Sequence, residues 1–131
     1  MEMTKEFIPY EQALALKELG FDESCLAYYN NYKPKNNHPR GLVISGNQDH
    51  NIETEGDNLI CSAPLYQQAF RWFREKYRLD GKPEYFLNNF YCFIINDMKQ
   101  EDTSRRLFTE FPSYEEAELE CLKKLIKIVT H

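Results

Sequence analysis

The sequence predicts an α+β fold, a single domain of three helices packed on a small, mainly antiparallel sheet. Three observations predict it. Two stretches carry apolar residues at helical spacing, and a third runs from a proline start to a glycine stop. Between them lie short aromatic and β-branched runs bounded by Asn, Gly and Asp. With 131 residues, 42% of them hydrophobic and 15% aromatic, the chain can bury one core without covalent staples.

The first element is a helix over about residues 9–19. Pro9 suits a first turn, the interior holds good helix formers, and Gly20 is placed to end it in a left-handed conformation. Ala13 and Leu16 share its inner face, flanked by Leu14 and Leu19. Cys25–Tyr29 reads as a strand ending at Asn30-Asn31. From Asn30 to Asn58 the chain is polar, with seven Asn, two Pro and three Gly, and it is expected to form a long loop. Leu42–Ile44 interrupts it as a returning strand, and Asn58–Cys61 is a further short extended piece.

Ser62 and Pro64 suit the start of a second helix, over about residues 63–78. Tyr66, Ala69, Phe70, Phe73 and Tyr77 make its apolar face, with Leu65 and Trp72 on the shoulder. Asp80-Gly81 then reads as a break. Three strands follow at Glu84–Leu87, Phe90–Asn96 and Arg105–Glu110, and Asn88-Asn89 suits a two-residue hairpin turn because Asn tolerates positive φ. Apolar residues on both faces of 90–96 predict a central strand. Ser113 and Glu116 form a capping box, opening a helix over 113–129 whose Ala117, Cys121, Leu125 and Ile128 make the apolar stripe. The order is α-β-β-(β)-α-β-β-β-α, as one domain spanning 1–131.

Charge and composition narrow the function. The net charge is −5, and residues 1–61 carry five Lys or Arg against ten Asp or Glu, while residues 62–131 carry eleven of each. An acidic chain repels phosphate at long range, which disfavours nucleic acid as a partner. No apolar run approaches the roughly 20 residues needed to span a bilayer, and residues 1–10 lack a signal-peptide pattern, so the expected location is the cytoplasm. Cys25, Cys61, Cys92 and Cys121 are widely spaced and read as small buried hydrophobes rather than disulfide or metal partners.

No phosphate loop, nucleophile elbow or paired Cys-x-x-Cys occurs, and the three histidines, His38, His50 and His131, stand in the polar loop and at the end. No catalytic residue, metal site or cofactor is therefore expected. The run Asp49–Asp57 repeats oxygen donors, yet Thr54 and Ile60 occupy the positions where a calcium loop needs Gly and Glu. A solvated acidic turn is the simpler reading. Its Asp49, Glu53, Glu55 and Asp57 are candidate contacts for a basic partner surface.

Two other clusters suggest ligands. Tyr28, Tyr29, Tyr32, Lys33, Lys35 and Arg40 could hold a planar phosphorylated molecule such as a nucleotide, by stacking and charge. The plain alternative is a strand edge covered by tyrosines. Arg71, Arg74 and Arg78, near Trp72 and Tyr77, could meet nucleic-acid phosphates, or simply solvate the second helix.

Three segments carry a resemblance: Phe7–Phe21 (FIPYEQALALKELGF), Ala63–Tyr77 (APLYQQAFRWFREKY) and Tyr114–Ile126 (YEEAELECLKKLI). Together they resemble a family of small uncharacterised proteins of bacteriophages and prophages of Bacteroidota. The resemblance covers the three helices and leaves out the 30–58 loop. It implies a non-enzymatic accessory protein that binds a host protein, such as a defence factor, inside the bacterial cell. A nucleotide-sequestering protein is the alternative reading, a nucleic-acid-binding module the second alternative, and a homo-oligomer is open.

Overall fold

A computed structural model describes residues 3–30, 41–48, 59–99 and 104–130. Among them the chain forms three α-helices and six strands in the expected order, an α+β arrangement. The strands are distributed over two three-stranded antiparallel sheets, and the chain divides into two compact units, residues 1–66 and 67–131.

In the first unit a 3-10 turn, Met3–Glu6, leads to helix α1, Tyr10–Glu18, with Pro9 at its N-cap in extended conformation. Gly20 takes φ 102°, the left-handed value predicted for the stop. Strand β1, Cys25–Asn30, lies between β2, Leu42–Gln48, and β3, Leu59–Ser62. Strand alternation sends Cys25, Ala27 and Tyr29 into the core and leaves Leu26 exposed on the other face. Ala13 and Leu16 of α1 are buried, and α1 packs against β3.

Ser62 is not a helix cap. It ends β3, paired with Tyr28, and the next residues continue extended because their backbone is already bonded: the Ile8 amide donates to the Pro64 carbonyl and the Ala63 amide to the Ala27 carbonyl. Helix α2 therefore starts only at Tyr66 and runs to Tyr77.

In the second unit the most informative departure is strand β4, Leu79–Leu87, which begins five residues before its expected start. Arg78 adopts φ 60°, the left-handed conformation that ends α2 without a glycine. Asp80-Gly81 is thus inside a strand rather than a break. Gly81 serves close packing: a Cβ there would lie 2.9 Å from Leu125 Cδ1 and 3.0 Å from Cys121 Sγ. Pro83 is tolerated because β4 is an edge strand.

Strand β5, Phe90–Asp97, is central, between β4 and β6, Ser104–Phe111. Cys92, Phe93, Ile94 and Ile95 are all buried, so both of its faces are covered as its pattern predicted. Asn88 and Asn89 take φ 53° and 65° and close the β4–β5 hairpin in two residues. Helix α3, Tyr114–Val129, packs on β4 and β5 through Ala117, Cys121, Leu122 and Leu125, all buried. Ser113 Oγ accepts the Glu116 amide proton at 3.1 Å, as expected of a cap; the Glu116 carboxylate in turn accepts from the Ser113 hydroxyl.

Candidate functional site

Large apolar side chains are exposed at one end of the second unit, on both faces of its sheet: Tyr85 and Tyr91 share one face, Leu87 and Phe90 the other. Tyr85 and Leu87 at the end of β4 are 57% and 43% exposed, Phe90 at the start of β5 is 36%, and Tyr114 at the start of α3 is 43%. Antiparallel register sets Tyr85 opposite Tyr91 and Leu87 opposite Phe90, while Phe111 of β6 lies opposite Tyr91 on the other side. Paired residues share a sheet face, so Tyr85 and Tyr91 point to the side on which α3 begins.

The rings are ordered by contact. Tyr85 stands edge-on to Tyr91 at 5.6 Å and 82°, and Tyr91 stands edge-on to Tyr114 at 5.9 Å and 89°. The Tyr85 hydroxyl accepts the Asn89 amide proton at 3.2 Å, tying the ring to the hairpin turn. Below this row Phe93 stacks on Phe111 at 6.1 Å, and Phe93 itself is buried. Irregular register between Tyr85 and Leu87 and between Tyr91 and Phe93 bends the strands here. Isolated exposed apolar residues are ordinary; a contiguous aromatic group fixed on rigid elements is what protein-binding surfaces share.

The residues singled out from sequence are dispersed. Asp49, Glu53, Glu55 and Asp57 lie outside the described residues, as do Tyr32, Lys33, Lys35 and Arg40. Of the tyrosine cluster, Tyr28 is half-buried, on the face of β1 opposite to Tyr29. Tyr29 is 2% exposed, donates its hydroxyl to the Ile8 carbonyl at 2.7 Å, and meets Tyr10 edge-on at 5.5 Å. Burial, reinforced by Cys61, holds that hydroxyl protonated far above the usual phenol range. The ring belongs to the core and presents no face to a ligand.

Arg71 and Arg78 are exposed on or just after α2, and Arg74 approaches Asp80 at 4.0 Å, an ion pair of little energetic weight at the surface. Trp72 is buried, so it offers no stacking platform to a base; Lys76 Nζ lies over its ring at 5.0 Å and over Tyr77 at 5.5 Å.

None of the four cysteines forms a disulfide, and all four are buried. Burial raises the Cys61 thiol to about 11, with Lys17 partly opposing, and raises Cys121 further with help from Glu118 and Asp80. Such thiols are poor nucleophiles. Among the described residues no cluster of His, Cys, Asp or Glu could hold a metal, and no helix is long and apolar enough to cross a membrane. Sequence reasoning missed the aromatic row because its members are distant in the chain and meet only through strand register and the helix start. Comparison with known protein families, characterised proteins and solved structures finds no match.

Proposed function

We propose that the protein works by binding another protein rather than by catalysing a reaction. In keeping with its resemblance to phage and prophage proteins, the partner in this reading is a host factor, such as a defence protein, held in the bacterial cytoplasm. The observation that carries the reading is the exposed row of Tyr85 and Tyr114 joined through Tyr91, with Leu87 and Phe90 exposed at the same end on the other face of the sheet. Aromatic side chains bury much area at low entropic cost, and a few such anchors dominate most interfaces.

The test replaces Tyr85, Leu87 and Phe90 together with Ser and compares capture from a Bacteroidota lysate by quantitative mass spectrometry. A protein enriched by the native chain and lost with the variant supports the reading. An unchanged set of captured proteins, with the variant folded by circular dichroism, overturns it. The nucleotide-binding alternative has lost Tyr29 to the core, and native mass spectrometry of the purified protein separates the two: a bound species of nucleotide mass favours the alternative.

A further inference from the structure

We propose that the aromatic end of the second unit recognises a basic protein segment, seating an arginine side chain against the rings of Tyr85, Tyr91 and Tyr114. The inference rests on the reading of this end as a protein-binding surface and specifies the chemistry of the partner.

The first ground is ring geometry. Tyr91 is flanked by two rings nearly perpendicular to it, at 82° and 89°. Faces of the row therefore point in directions at right angles to one another, forming corners in which one cation can meet two rings. Cations are drawn to ring faces within about 6 Å, and a guanidinium also stacks flat on them. The chain uses the same mode internally, where Lys76 lies over both Trp72 and Tyr77, two rings set at 79°.

The second ground is charge. Residues 83–97, the hairpin without the first four residues of β4 (which include Lys82), and residues 109–122, which make the end of β6 and the start of α3, contain no Lys or Arg. They carry Glu84, Glu110, Glu115, Glu116 and Glu118, besides Asp97 and Glu120, which are paired with Lys99 and Lys123. Glu118 follows Tyr114 by four residues, hence on the same side of α3. The lysines of α3 begin only at Lys123, about 13 Å along the axis from Tyr114 at 1.5 Å per residue. The helix N-terminus contributes roughly half a positive charge, which the carboxylates at 110, 115, 116 and 118 outweigh. An acidic or neutral segment would gain nothing from this field; an arginine-bearing one gains both ring contact and carboxylate partners.

The experiment measures binding of fluorescein-labelled peptides of alternating arginine and serine by anisotropy, beside matched peptides with citrulline or glutamate in place of arginine. The expected result is binding of the arginine peptide, with citrulline weaker by about tenfold or more, roughly 1.4 kcal/mol. Tyr85→Leu with Tyr114→Leu, which keep apolar bulk and so the fold, should weaken the arginine peptide by a similar factor. Glu115→Gln with Glu118→Gln should weaken it and flatten its salt dependence. Equal binding of the citrulline peptide, indifference to the tyrosine substitutions, or no binding of the arginine peptide at about 1 mM would each overturn the proposal. If those peptides fail while the Tyr85, Leu87 and Phe90 variant still loses its captured protein, the arginine chemistry is wrong and the protein-binding reading stands. If the lysate capture is unchanged while the arginine peptide binds through the tyrosines, the host-factor reading is overturned and the arginine chemistry of the row stands.

Discussion

The hydroxyl of Tyr29 donates a 2.7 Å hydrogen bond to the backbone carbonyl of Ile8, both groups being buried. The bond ties the segment leading into α1 to the central strand of the first sheet. Tyr29→Phe keeps the ring and its contact with Tyr10 and removes only this bond. The expected loss is about 1–2 kcal/mol, because the Ile8 carbonyl loses a buried partner. A urea midpoint equal to that of the native protein would show that the bond contributes nothing.

Gly81 makes a second prediction, in the other unit. Its Cα–H side faces Leu125 and Cys121 so closely that Gly81→Ala forces these buried side chains to shift. Overpacking of this kind costs about 1–3 kcal/mol. Combining it with Cys121→Ala, which vacates one of the two contacts, should cost less than the sum of the single changes; strict additivity in a double-mutant cycle would place the strain elsewhere.

The β4–β5 turn and the α3 cap can be tuned in opposite directions. Asn89→Gly suits the positive φ of 65° and should leave stability equal or slightly higher. Replacing both Asn88 and Asn89 with Ala should lower it, since Ala resists positive φ. Ser113→Ala removes the acceptor for the Glu116 amide and should cost about 1 kcal/mol. Thermal melts followed by circular dichroism read all three.

Alkali gives the fourth. The Cys61 thiol is raised from 9.0 to about 11 by burial in the folded state. Its contribution is complete below pH 9, where the thiol is neutral in both states. Between about pH 9 and 11 the unfolded chain loses that proton first, so stability falls as pH rises. Cys121 is shifted in the same direction and adds to the fall. Urea midpoints across this range should decline less steeply for Cys61→Ala than for the native chain; parallel curves would remove Cys61 as a cause.

How much of this was legible in the sequence differs by element. Helix α3, its Ser113 cap, the Gly20 stop, the Asn88-Asn89 turn and the central place of β5 were readable, because each depends on local backbone preference or on the period of the apolar pattern. The start of β4 was not. Arg78 in a left-handed conformation is a choice made by packing, and Gly81 looks like a breaker until α3 is seen against it. Ser62 likewise has the chemistry of a cap but is claimed by pairing with Tyr28. Tyr28 and Tyr29 look equivalent in sequence, yet strand alternation leaves one half-buried and sends the other into the core. The aromatic row needed the register of two hairpin strands and the placement of α3, neither of which a linear pattern records.

The absence of Lys and Arg from residues 83–97 and 109–122 also determines how this surface can be seen in the laboratory. Amine-directed cross-linkers and biotinylation reagents have no target within those stretches. Trypsin leaves Leu79 to Lys99 in one piece, since the bond between Lys82 and Pro83 resists it, and releases Tyr114 on a separate fragment ending at Lys123. A partner seated on the tyrosines would thus protect nothing that a lysine footprint reports. Carboxylate coupling, reading Glu115 and Glu118, and tyrosine iodination, reading Tyr85 and Tyr114, are the chemistries on which its shadow would fall.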